Sequence, residues 1–119
     1  MNYLILDDLR FHAFHGVIPT ENIVGGEYSV SLKIGYDFSR AAQSDDINDA
    51  INYAEICDLI KREMMQPSKL IENVAWRIQE AIVAAYPVVE TLETTVRKIH
   101  PPVPYQMAAS AVVLHYEKE

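Results

Sequence analysis

Glu27-Tyr28-Ser29-Val30-Ser31-Leu32-Lys33-Ile34-Gly35-Tyr36-Asp37-Phe38 alternates apolar and polar positions without a break. Successive side chains of a strand point to opposite faces, so Tyr28, Val30, Leu32, Ile34, Tyr36 and Phe38 share one face, and Ser29, Ser31, Lys33, Gly35 and Asp37 the other. The pattern predicts a long strand with one buried and one wet face, about twice the usual 5–6 residues. Long strands in a small sheet leave long unpaired edges, which monomers seldom tolerate. Strand pairing between subunits is therefore expected.

The flanking segments build a sheet around this strand. Tyr3 to Phe14 reads as a first strand, and Pro19, Asn22, Gly25 and Gly26 mark the loop that follows it. Ser39 to Asn52 is polar and acidic and reads as a connection. Tyr53, Ile56, Cys57, Ile60 and Met64 then fall on one helical stripe, giving a helix to about Met65 that Pro67 ends. Ile71, Val74, Ala75, Ile78, Ala81, Ile82 and Ala85 form a second stripe, with Ser68 as its expected N-cap and Pro87 beyond its end. Thr91 to Ile99 and Ala109 to Tyr116 read as two more strands, separated by the stiff Pro101-Pro102-Val103-Pro104. The order ββααββ predicts an α+β chain: a four-stranded, mostly antiparallel sheet with both helices on one face.

The 119 residues suit a single domain spanning 1–119. Half of them are hydrophobic, enough for a core without cross-links, and the lone Cys57 excludes an intrachain disulfide. A net charge of -7 argues against nucleic acid as partner, since phosphate binding needs a basic patch. No apolar run approaches the roughly 20 residues that span a membrane, and the first residues lack a signal-peptide pattern. A cytoplasmic protein is expected.

No local motif settles the chemistry. His12 and His15, three apart on a strand, point to opposite faces, and His100 and His115 stand alone, so spacing offers no metal site. Gly25-Gly26 lacks the spacing of a phosphate loop. Cys57 on an apolar stripe reads as a small hydrophobe. Asp45, Asp46 and Asp49 read as a solvated turn, and His15-Gly16 as a strand-to-loop corner. Tyr53 is a core or interface aromatic, or a hydroxyl facing a cavity. Lys98, just before the proline run, is a surface lysine or an amine held over a ligand, where it could act as acid or base. Glu72, in the first turn of the second helix, either complements the helix dipole or anchors a ligand.

One ordered set of short matches adds to this. His15-Gly16-Val17, Thr20-Glu21-Asn22, Ser44-Asp45-Asp46, Asn52-Tyr53-Ala54, Leu70-Ile71-Glu72, and Val96-Arg97-Lys98 before Pro101-Pro102-Val103-Pro104 occur in the order and spacing of one family. Over essentially its whole length the chain resembles dihydroneopterin aldolase. The resemblance implies a tunnelling fold whose subunits join sheets edge to edge, commonly as a homo-octamer of two stacked tetrameric rings, with active sites between neighbours. It implies a lyase of folate biosynthesis, without cofactor, that cleaves dihydroneopterin by a retro-aldol step to hydroxymethyl-dihydropterin and glycolaldehyde. Neither metal nor lysine Schiff base is required, because the pterin ring is the electron sink.

By the same resemblance Glu72 holds the pterin edge, with backbone groups near Ile71. Val17 lines the pocket, and Ile51, Asn52 and Tyr53 reach it from the neighbouring subunit. Lys98 is the principal acid/base group, Glu21 positions it, and Tyr53 assists proton transfer. Asp45 matches a family acid near the site. Two relatives of this reading share the pocket: an epimerase of dihydroneopterin or its triphosphate, and a non-catalytic pterin-binding ring protein. The chain departs from the family in carrying Tyr105 after the second proline pair and Ser110-Ala111-Val112 in the last strand, each where a glycine is common.

Overall fold

A computed structural model describes residues 1–119. Its regular elements are β1 (Tyr3–Ala13), α1 (Pro19–Ile23), β2 (Gly26–Gly35), α2 (Ser39–Ser44), a 3-10 turn (Ile47–Asp49), α3 (Tyr53–Met64), α4 (Ile71–Ala85), β3 (Thr91–Ile99) and β4 (Ala109–Glu117). The strands form one sheet in the order β1-β2-β3-β4, and every neighbouring pair is antiparallel. The α+β layout expected from the hydrophobic pattern is the one formed.

The alternation of β2 is carried into packing. Tyr28, Val30, Leu32 and Ile34 are buried, opposite Val96 and Leu92 of β3, and meet Ile56, Ile60 and Met64 of α3 and Val74, Ile78 and Ile82 of α4 in one core. The strand is shorter than its pattern: pairing stops at Gly35, although Tyr36 remains buried and its amide donates to the Asn2 carbonyl (3.1 Å). Its polar face is also drier than expected at Ser29, which is 1% exposed.

A bulge in β1 explains this. Leu6 pairs with Leu32 and Leu9 with Val30, so Asp7 and Asp8 together oppose one residue of β2. Asp8 adopts a left-handed backbone (φ 59°), and its amide donates to Ser31 Oγ. Its carboxylate accepts from Ser29 Oγ at 2.6 Å and Arg10 Nε at 2.7 Å. The extra residue keeps Leu4, Leu6, Leu9 and Phe11 on the core side despite the broken alternation between Leu6 and Leu9.

The two long helices are set as their sequences require. Asn52 caps α3, its side chain accepting from the Ala54 amide (3.0 Å). Arg77 of α4 then ties the end of α3 to the loop after it, donating to the Glu63 carbonyl, the Glu63 carboxylate and the Gln66 carbonyl within 2.9 Å. Ser68 does not cap α4. The helix starts at Ile71 with Leu70 as its N-cap, and no side chain supplies the capping bond. The Ser68 hydroxyl is instead spent on Asn73 and Arg77. Two short helices, α1 and α2, occupy stretches expected to be loop. No helix is long and apolar enough to cross a membrane.

Candidate active site

Lys98 is the next-to-last residue of β3 and lies between Tyr28 and Ser110 in the sheet register. It shares the helix-facing side with Leu92, Thr94 and Val96, so its stem leaves the end of the core. Its ammonium forms an ion pair with Glu21, and both side chains are largely buried, 19% and 12% exposed. Glu21 comes from α1, whose first residue, Pro19, fixes the backbone for a helix start. The other Glu21 oxygen accepts from the Ile18 amide (3.4 Å).

Gly16 makes room for this carboxylate. Its backbone lies at φ +149°, and a β-carbon there would fall on the Glu21 side chain. The preceding residue is the hub of the loop. The His15 carbonyl accepts from Tyr28 Oη at 2.7 Å and lies 3.5 Å from Lys98 Nζ. The His15 ring is fully buried, packs edge-on against Tyr28 at 5.1 Å, and accepts the Ser68 amide at Nδ1 (3.0 Å). The Gly16 amide in turn donates to the Ser68 carbonyl at 2.9 Å. Burial, helped by the nearby Arg77 cation and less by Lys98, lowers the His15 pKa to about 4, while the Met64 carbonyl pulls the other way. Burial, then the charge of Glu21, pushes the Tyr28 hydroxyl up to about 12, keeping it a donor.

A cavity of about 300 Å³ opens beside the ion pair, lined among others by Val17, Glu21, Ile71, Glu72, Lys98 and Pro102. Glu72 stands exposed in the first turn of α4. It faces the cavity from a helix start that no side chain caps, where backbone N–H groups are unpaired by the helix itself. The site thus sets a carboxylate and free amides on one wall and a lysine paired with a second carboxylate on another. A second hollow of about 240 Å³, bounded by Thr20, Gly25, Tyr28 and His100, lies against the same Lys98 and Glu21.

Lys98, Glu21, Glu72, Ile71 and Val17 are therefore brought together by one chain. Tyr53, Asn52, Ile51 and Asp45 line neither hollow. Tyr53 begins α3 and is 61% exposed, whereas Met64 at the other end of that helix acts on His15. At 1.5 Å per residue the two ends stand about 16 Å apart. The Ile51 side chain is buried in its own core and its amide donates to Tyr36 Oη (3.3 Å). Asp45 ends α2 in a left-handed conformation and is exposed. Tyr105, the departure in the proline loop, is 75% exposed and does not line the cavity with Lys98. Sequence reasoning passed over His15, Tyr28 and Arg77 as site components; only His15 carried a signal, as a strand-to-loop corner with Gly16 and as part of the His15-Gly16-Val17 family match.

The fold is that of the tunnelling-fold proteins, and it sets the Lys98–Glu21 pair and Glu72 around one small cavity. A family model described as dihydroneopterin aldolase matches residues 4–115, and the chain belongs to that family. A dihydroneopterin aldolase of Staphylococcus epidermidis is 38% identical over 106 residues, covering 87% of this chain and 88% of the relative. Among solved structures, a Vibrio cholerae chain assigned to the same family superposes with a TM-score of 0.92 at 24% identity, over 99% of this chain and 98% of the other. An Escherichia coli dihydroneopterin aldolase in complex with neopterin gives 0.89 at 20% identity, over 98% and 99%. At these identities the two structures establish the fold alone.

Proposed function

We propose that this chain cleaves dihydroneopterin to hydroxymethyl-dihydropterin and glycolaldehyde, with Glu72 as the pterin anchor and Lys98 as the acid/base group. The observation that carries the assignment is the placing of Glu72 and the Lys98–Glu21 pair on one cavity of about 300 Å³. A carboxylate is a pure acceptor with two oxygens, and a pterin edge offers an amino group beside a ring N–H, so two parallel charge-assisted bonds select it. The amides at the start of α4 complete the recognition.

Lys98, exchanging protons through an ordered water, removes the proton from the side-chain hydroxyl one carbon beyond the ring-attached carbon. The bond between these two carbons breaks and glycolaldehyde leaves. The electron pair passes into the ring system as an enol-like intermediate, which is then protonated at the ring-attached carbon. Glu21 holds the lysine in place for both proton movements. Tyr53 of a neighbouring chain assists the second, with Ile51, Asn52 and Asp45 flanking it. This assigns the protein a cytoplasmic homo-oligomer, an octamer of two rings. The open β1 and β4 edges, and a Tyr53 that lines neither hollow of its own chain, support pairing between subunits.

The test is incubation with dihydroneopterin and assay of glycolaldehyde. Release of the epimeric pterin alone would make the protein an epimerase, and bound but unchanged pterin a binding protein. Lys98→Ala should lower kcat by about a hundredfold or more while pterin affinity stays within about threefold. Glu72→Ala removes bonds to a charged acceptor and should weaken affinity at least about tenfold. Unchanged affinity in that variant would sink the assignment of Glu72.

A further inference from the structure

We propose that His15 is the positioning residue that holds the two halves of this site, the Lys98–Glu21 pair and the start of α4, in one register. The inference rests on the functional reading above and extends it to a group outside the cavity lining. On one side, the His15 carbonyl lies between Tyr28 Oη (2.7 Å) and Lys98 Nζ (3.5 Å), so its place limits where the ammonium can sit. On the other, Nδ1 accepts the Ser68 amide and Gly16 donates back to the Ser68 carbonyl. Ser68 lies two residues before Leu70, the N-cap of the helix bearing Glu72.

An amide can donate only to an unprotonated nitrogen, so the ring is neutral with its hydrogen on Nε2. That Nε2 has no hydrogen-bond partner at close range. The Met64 carbonyl acts on the ring only from longer range, so the ring's one close directional bond is the link to Ser68. Packing against Tyr28 fixes the ring plane that aims it. A side chain kept only to fill volume would not need the acceptor.

The test compares His15→Leu, which fills the space without an acceptor, with His15→Asn, whose amide oxygen can stand where Nδ1 does. Two readouts are taken on the assembled protein: hydrogen exchange of the Ser68 and Gly16 amides, and kcat and KM for dihydroneopterin. In His15→Leu, protection at Ser68 and Gly16 should be lost while that of Val30 and Ile78 in the core remains. Its kcat should fall about tenfold or more, and His15→Asn should recover most of both. Should His15→Leu be unable to fold, Tyr28→Phe removes only the hydroxyl that holds the His15 carbonyl, and should lower kcat with little change in KM. Loss of protection with unchanged kcat overturns the proposal. So does an equal fall of kcat in folded Leu and Asn variants, or Tyr28→Phe at full kcat when it stands in. A wild-type protein with the two amides protected but no cleavage would overturn the aldolase reading while leaving the link itself standing.

Discussion

Gly16 matters through the side chain it lacks. Its φ of +149° strains any other residue, and a β-carbon would collide with the Glu21 carboxylate. Gly16→Ala is expected to cost about 1–3 kcal/mol of stability. It should also cut kcat more than tenfold by moving Glu21 from Lys98; thermal melts and steady-state kinetics check both. His15 makes a second prediction, about pH. Its unfolded form takes a proton near 6.5, its folded form near 4, so the unfolded chain binds more protons between these values. The stability from keeping the ring neutral is complete above about pH 6.5 and is lost as pH falls to about 4. At 1.36 kcal/mol per pH unit this reaches at most about 3 kcal/mol. Urea titrations of wild type and His15→Asn across that window should diverge by this pH-dependent difference. Little of either effect is visible in the residue string. Lys98 and His15 stand 83 positions apart, and a lysine ending a strand looks like any surface lysine until the loop that buries it is in place. The ordered family matches, not the local chemistry, marked Lys98, Glu21 and Glu72.

Elements with a repeating period were legible, and those held by single contacts were not. β3 runs from Thr91 to Ile99 as its β-branched residues indicate, and α3 starts at Tyr53 behind an asparagine cap. α1 and α2 are too short for a 3.6-residue period to declare itself, and Pro19 and Gly25 around α1 look equally like loop punctuation. The start of α4 is the instructive miss. Ser68 has the chemistry of a cap, but its amide is taken by His15 and its hydroxyl by Asn73 and Arg77, so the helix begins bare at Leu70. The bare start has a use if those amides meet the ligand. Leu70→Ser supplies the missing acceptor and, as Leu70 is 54% exposed, sacrifices little burial. It should stabilise the fold by about 0.5–2 kcal/mol, seen as a higher Tm, because a capped helix end satisfies its orphan donors. Pterin affinity should fall in the same variant, since serine and ligand compete for the same amides. A more stable variant with undiminished affinity would mean that these amides do not bind pterin.

For the whole molecule, the sheet is open at both ends: β1 and β4 each pair on one side only. The unpaired N–H and C=O groups along these edges are what edge-to-edge assembly would satisfy, while Ile5 and Val113, about 60% exposed, stand on the sheet face away from the helices. The length of the alternating segment is the reason to expect such an assembly, but no single-chain pattern could say which residues would cross it. Geometry narrows the choice, because Tyr53 sits a full helix length from the His15 end of α3. If Tyr53 serves a neighbour's Lys98, two inactive variants can repair each other. Lys98→Ala keeps its tyrosine and Tyr53→Ala keeps its lysine, so in a mixed ring some sites receive one intact residue from each chain. With equal co-expression and random closed assembly, roughly a quarter of the sites are whole. Activity should rise to about that fraction of wild type in the mixture, and neither pure variant should approach it. If the site were contained in one chain, every site would lack one of the two groups, and mixing would return only the average of the two variants.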